Sequence, residues 1–181
     1  MMKTLTLLRH AKSGEDGTVS RDFDRPLNPK GKRAARAIGR HLRESDTHFD
    51  RVIASPAVRV AETVAEVSTG YGEALDAQWE RRIYLASPAE LLELVHAASD
   101  DNASLLLVGH NPGLERLVLM LVPEAADGPR DRVEEKYPTA SLAEIAFDVS
   151  HWANVAPGAG RLVRFTRPRD LDPTLGPEQF G

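Results

Sequence analysis

The chain contains no cysteine. Disulfides, thiolate nucleophiles and cysteine-ligated zinc are excluded together, and histidine, carboxylate and hydroxyl groups remain as the available chemistry. No apolar run approaches the roughly 20 residues that a membrane-spanning helix needs. Met1, Met2 and Lys3 lead straight into a short apolar stretch, without the longer apolar core and cleavage site of a signal peptide, so a cytoplasmic location is expected. A surplus of positive charge is also missing: the formal net charge is −4. That excludes a dedicated nucleic-acid binder, which must answer the phosphate backbone with net positive charge. His41, His48, His96 and His151 show no metal-ligand spacing to one another. A metal phosphatase would need carboxylates clustered beside histidine, so no metal and no cofactor is expected. Neither an internal repeat nor a domain linker is visible. With 181 residues, 41% apolar and 28% charged, the chain suits one globular domain over 1–181, ending in an extended tail over 168–181.

What is present is a series of short apolar strands, each followed by a helix-opening signal. Leu5–Leu8 reads as a buried strand ending in Arg9 and His10, and the aperiodic stretch from Ala11 to Asp24 reads as a loop. Asn28-Pro29 supplies an N-cap and a first-turn proline for a helix whose apolar face is Ala34, Ala35, Ile38 and Leu42. Its other face carries Lys30, Lys32, Arg33, Arg36, Arg40 and Arg43; with no aromatics interleaved it reads as a solvated face. Arg51–Ala54 is a second strand, and Ser55-Pro56 repeats the cap signal for a helix running to about Ser68. Leu75–Glu80 is a weaker third strand. Ser87-Pro88-Ala89-Glu90 is a capping box opening a helix with Leu91, Leu92, Val95 and Ala98 on its apolar face. Ser104–Val108 is a fourth strand that runs into Gly109-His110, with Asn111 as cap and Pro112 as first residue of a helix that Pro123 ends. Glu124–Lys136 reads as a charged surface loop with room for one helical turn. Ser141–Val149 and Arg161–Thr166 read as an appended antiparallel pair, the second with Leu162, Val163 and Phe165 apolar. The pattern is that of an α/β fold.

Three strand-to-helix junctions thus end in Arg9-His10, in Ser55 with Arg59 close behind, and in Gly109-His110. If these strands are parallel and adjacent, two arginines and two histidines meet at the carboxyl edge of the sheet, where such sheets bind ligands. Two guanidinium groups can hold a phosphoryl group through paired hydrogen bonds. A mostly unprotonated imidazole is a competent nucleophile toward phosphorus, and a second one can donate to the equatorial oxygens. Ser55 is expected mainly as a cap that could also touch phosphate. Lys12 and Ser13, just after His10, could add donors, and Asn111 is expected as a cap.

The motifs Leu-Leu-Arg-His-Ala-Lys (7–12), Ser-Pro-Ala-Val-Arg-Val-Ala-Glu-Thr (55–63) and Val-Gly-His-Asn-Pro (108–112) together resemble the histidine phosphatase superfamily, also called phosphoglycerate mutase-like. The Arg-His-Ala-Lys form is similar to its short SixA-type phosphohistidine phosphatases. Asp24-Arg25-Pro26-Leu27, Lys136-Tyr137-Pro138-Thr139 and Pro168-Arg169-Asp170-Leu171 extend the likeness over nearly the whole chain. The resemblance implies a three-layer α/β/α sandwich with a mixed, mostly parallel sheet, and a metal-free reaction through a covalent phosphohistidine. His10 would be the nucleophile, Arg9 and Arg59 the phosphate clamp and His110 the second histidine. For the general acid the family pattern points to Glu80, with Asp22 and Asp24 as alternatives, Asp24 being also a natural ion-pair partner for Arg25. An imidazole leaving group, with a pKa around 6.5, has less need of such an acid than an alkoxide. The expected partner is a phosphorylated substrate, a phosphohistidine protein first. A small phosphate ester, or a non-enzymatic phosphate-binding role, are the alternatives.

Overall fold

The computed structural model describes residues 2–14, 21–125 and 128–177. Six strands form one sheet in the order β3-β2-β4-β1-β5-β6: β1 (Met2–Arg9), β2 (Arg51–Ala54), β3 (Ala77–Trp79), β4 (Ser104–Gly109), β5 (Leu142–Asp148) and β6 (Arg161–Thr166). The first four run parallel, β5 pairs antiparallel with β1, and β6 pairs antiparallel with β5 at the sheet edge. Strand residues alternate between the two faces. Leu5, Leu7, Leu105 and Leu107 point into one core with α3 (Pro88–His96) and α4 (Gly113–Leu121). Leu8, Val52, Leu106 and Val108 point into the other, under α1 (Pro29–Glu44) and α2 (Val58–Tyr71). Both faces are covered, which is why these strands read as unbroken apolar runs. The sandwich is α/β/α, as the sequence led us to expect.

Local signals explain most boundaries. Asn28 Oδ1 accepts from Gly31 N at 2.7 Å to cap α1, and Ser87 with Glu90 forms the reciprocal capping box of α3. On α3 the buried face is Leu91, Leu94 and Val95, with Leu92 and Ala98 only partly buried against it.

Several expectations are corrected. α2 begins at Val58 after Ala57, not after Ser55, and continues to Tyr71, where Gly72 in the left-handed region (φ 86°) ends it. α4 begins at Gly113 rather than Pro112. The Glu124–Lys136 segment contains α5 (Arg130–Glu135), anchored by the fully buried Val133 and by Arg130, which donates to the carbonyls of Leu119 and Val122. The segment from Pro168 is not extended: α6 (Pro168–Leu171) and a 3-10 turn (Pro173–Leu175) fold against α1, while 178–181 lie outside the described residues. In β6, Val163 is exposed because a register shift opposite Glu144 and Ile145 puts Leu162 and Phe165, three apart, on the same buried face. No helix among the described residues is long and apolar enough to cross a membrane.

Candidate active site

The order β2-β4-β1 places three parallel strand ends side by side. Arg9 stands opposite Gly109 and Ala54 opposite Val108. The ladder continues one residue beyond each strand, with His10 N donating to Gly109 O at 3.0 Å and Ser55 N to Val108 O at 3.1 Å. His10, Ser55 and His110 therefore emerge together. Arg59, in the first turn of α2, leans back over the same edge, as helical side chains do.

The four groups form a buried cluster, with His10 7%, Arg59 4%, His110 5% and Ser55 0% exposed. The imidazole centroids of His10 and His110 are 5.4 Å apart. His10 Nδ1 lies 2.7 Å from the carbonyl oxygen of Ala11. A carbonyl only accepts, so Nδ1 carries the proton and Nε2 presents its lone pair, 3.4 Å from the Nε–H of Arg59. His110 has the opposite tautomer. Its Nδ1 faces Nη2 of Arg59 at 3.3 Å, a group that only donates, so the proton sits on Nε2 and is given to Ser55 Oγ at 2.8 Å. The Nε–Nη2 edge of one guanidinium thus spans both histidines, the fork that pairs with two oxygens of a phosphoryl group.

Both histidines are held neutral. Burial pushes the His10 imidazole down to about 3; the Ala11 carbonyl opposes this, and the charges of Arg59 and Arg9 reinforce it. Burial likewise lowers His110 to about 4, helped by Arg59 and opposed by Asp22. The pocket combines positive charge with an unprotonated nitrogen nucleophile, the pair of properties that attack on an anionic phosphorus centre requires.

Arg9 donates Nη1 to Tyr137 O at 2.8 Å, while its buried Nε has no hydrogen-bond partner among the described residues. Its charge bears on both histidines. Asn111 also donates to Tyr137 O, at 3.1 Å, and accepts weakly from Glu115 N. It braces the corner after β4, and through Glu115 N it also satisfies a first-turn N–H of α4, though α4 itself begins at Gly113. Lys12 is exposed and lines a separate basic chamber that it shares with Arg9. Ser55 serves His110 and accepts from Ala57 N at 3.3 Å, so its hydroxyl is a positioning group more than a helix cap.

The three carboxylates separate. Glu80 follows β3, but its side chain accepts from the backbone and guanidinium of Arg82, and none of its described hydrogen bonds reaches the cluster. Asp24 pairs with Arg21, not with Arg25. Among the described residues Asp22 is the carboxylate that joins the site: Oδ2 accepts from Arg59 Nη2 at 3.0 Å and from Tyr84 Oη at 2.8 Å, and Oδ1 from Arg25 Nε at 2.9 Å. The Tyr84 hydrogen bond, with Arg59 and Arg25, lowers the Asp22 pKa to about 2. Asp22 is therefore ionised near neutrality and has no proton to give.

Three groups escaped sequence reasoning. Tyr84 stacks edge-on to His110, with centroids 5.3 Å apart, and walls the pocket. Thr63 Oγ1 accepts from Ala11 N at 2.9 Å and donates to Arg59 O at 2.6 Å, tying the loop that holds His10 to the turn that carries Arg59. Glu62 accepts from Leu27 N at 2.8 Å. The Ala-Glu-Thr end of the 55–63 motif is the available signal, but the motif alone assigns no role to Glu62 or Thr63. Gly31 lets α1 approach this loop, since a Cβ there would lie 2.1 Å from Lys12 O. Among the described residues no group of three or more metal-ligating side chains converges.

Comparison with known proteins identifies the family. Residues 5–83 match the model of the histidine phosphatase superfamily (branch 1). The uncharacterized protein Rv1276c of Mycobacterium tuberculosis is 35% identical over 164 residues, covering 90% of this chain and all of that protein. The chain belongs to the histidine phosphatase superfamily. Taken with its likeness to SixA-type structures, the family match makes it a hydrolase of the phosphatase class. In three dimensions it is similar to a candidate SixA phosphohistidine phosphatase from Nakamurella multipartitia, with TM-score 0.79 and 28% identity over 93% of this chain and 97% of that one. The protein histidine phosphatase SixA complexed with tungstate shares the fold, with TM-score 0.76 and 22% identity over 93% and 99% of the two chains. The fold extends to mycobacterial glucosyl-3-phosphoglycerate phosphatase, with TM-score 0.60 and 15% identity over 90% and 98%.

Proposed function

We propose that this protein hydrolyses a phosphoramidate, protein phosphohistidine first, through a covalent phosphoryl group on His10. His10 Nε2 attacks phosphorus while its Nδ1–H stays on Ala11 O. Arg59 and Arg9 neutralise the phosphoryl oxygens, and His110, oriented by Ser55 and Arg59, lines the opposite side. The P–N bond of the substrate breaks as the new P–N bond forms. A substrate imidazole protonated on its other nitrogen departs neutral and takes no proton from the enzyme. Water then attacks phospho-His10, the P–N bond breaks, Nε2 recovers its lone pair, and both protons of the water leave with inorganic phosphate as dihydrogen phosphate.

One observation carries this choice of leaving group: among the described residues the carboxylate hydrogen-bonded to the cluster is Asp22, whose pKa is lowered to about 2 and which is committed to Tyr84, Arg59 and Arg25. An alkoxide would need a proton at departure, whereas an imidazole, with a pKa around 6.5, does not. The similarity to SixA-type structures supports the same substrate class. Rapid-quench labelling with a phosphoramidate should place acid-labile, base-stable phosphate on His10. A panel of phosphohistidine protein, sugar phosphates and nucleotides should give the highest kcat/KM for phosphohistidine; preference for an ester would replace this substrate class with a small-molecule phosphate ester.

A further inference from the structure

Beside the histidine cluster, and lined by the Arg9 whose charge acts on both histidines, lies a chamber of about 350 Å³. Among the described residues, every ionisable side chain that lines it is cationic: Arg9, Lys12, Lys30, Lys136, Arg167 and Arg169. This occurs in a chain whose net charge is −4. Four separate parts of the fold deliver these cations: the end of β1 and its loop, the start of α1, the residue after α5, and the segment leading through α6. Ala34, Pro138 and Leu175 supply apolar wall between them. Two of the cations are already engaged, Lys30 with Gly176 O and Arg167 with Asp170. Lys12, Lys136 and Arg169 have no acidic partner among the described residues, and the buried Nε of Arg9 has no hydrogen-bond partner among them. Gathering like charges is unfavourable unless an anion answers them, and the volume suits a ligand group rather than a single water.

We infer that the chamber is an anion subsite that holds a second negatively charged group of the substrate whose phosphoryl group reacts at His10. This rests on the phosphatase reading above and adds a requirement to it: the substrate carries further anionic charge, next to the reacting phosphoryl group, on the side of Arg9. Carboxylates flanking a phosphohistidine and a second phosphate on a small molecule present the same chemistry, and two experimental arms separate them.

The test compares matched pairs by kcat/KM: phosphohistidine peptides with aspartate or alanine flanks, and a sugar bisphosphate with its monophosphate. Wild type is set against the double variant Lys136→Glu, Arg169→Glu, at two exposed positions outside the reaction centre. The wild type should favour the more anionic member of one pair by about tenfold or more, through KM, and the variant should lose that preference. It should keep the kcat of a minimal phosphoramidate. Preference in the peptide arm assigns the subsite to protein carboxylates, and preference in the sugar arm assigns it to a second phosphate. Equal kcat/KM within both pairs, or a preference that survives the variant, overturns the inference. Calorimetric binding of inorganic tripolyphosphate in a His10→Ala background gives a readout free of turnover. The double variant should weaken its Kd by about tenfold and added salt should weaken it further; an unchanged Kd overturns the subsite. Failure of wild type to turn over any substrate would instead overturn the catalytic reading, and the binding measurement would still decide the subsite.

Discussion

Asp22 holds the outer edge of Arg59: its backbone carbonyl accepts from Nη1 at 2.9 Å and its carboxylate from Nη2 at 3.0 Å, leaving Nε and the second Nη2 proton turned toward His10 and His110. Asp22 is thus a positioning residue for the guanidinium rather than a proton donor. Asp22→Ala should lower kcat/KM by about tenfold to a hundredfold, as small misplacements of a clamp do. Asp22→Asn, which keeps an acceptor oxygen, should recover most of it. Equal losses in the two variants, measured by steady-state kinetics, would reject the positioning role.

Stability should depend on pH with a definite sign. The folded-state pKa values of His10 and His110, about 3 and about 4, lie below that of an exposed imidazole. Between about pH 6.5 and 4 the unfolded chain binds more protons than the folded one, so stability falls as pH drops through that window, by up to ~1.4 kcal/mol per pH unit for each histidine. Above about pH 7.5 the two histidines add no pH dependence, because both states are neutral. Asp22, with its lowered pKa, extends the loss below about pH 4. Urea midpoints from pH 4 to 8 give the slope, and the variant His10→Asn, His110→Asn should flatten it; a flat wild-type curve refutes the buried neutral histidines.

Thr63 links Ala11 N to Arg59 O. In Thr63→Val the buried Ala11 N–H loses its acceptor, which should cost about 1–3 kcal/mol. The Ala11 carbonyl, which fixes the His10 tautomer, would shift with it, and kcat should fall by about tenfold while KM changes little. Thr63→Ser should restore both. A loss of stability with unchanged kcat would make Thr63 structural only.

Glu80 accepts three hydrogen bonds from Arg82, the first cause of its lowered pKa. Glu80→Gln should therefore leave kcat/KM within about twofold on both a phosphoramidate and an aryl phosphate, where loss of a general acid would cost about a hundredfold or more. Selective slowing of the ester would return Glu80 to the role of acid.

The three strand-to-helix junctions that carry Arg9, His10, Ser55 and His110 were legible in the residues alone. Apolar runs covered on both faces mark β1, β2 and β4, and turn chemistry at Asn28-Pro29 and Ser87–Glu90 marks α1 and α3. Strand order was not legible, because the pairing β2-β4-β1 joins residues about fifty to a hundred positions apart and no local signal encodes it. Nor were the partners of the charged groups. Asp22 and Asp24 are two residues apart in the same loop, yet Asp22 meets Arg59 and Tyr84 while Asp24 meets Arg21.

By itself, then, the sequence determined which atoms are available for chemistry: two histidines, two arginines and no thiol, at the ends of strands that its apolar pattern dictates. Only the tertiary structure decided their states. The tautomers of His10 and His110, their lowered pKa values, the ionised Asp22 and the gathering of cations around Arg9 all follow from burial and from neighbours distant in the chain. Desolvation and short-range electrostatics act through space, so a residue's charge and proton position are properties of its surroundings rather than of its place in the chain.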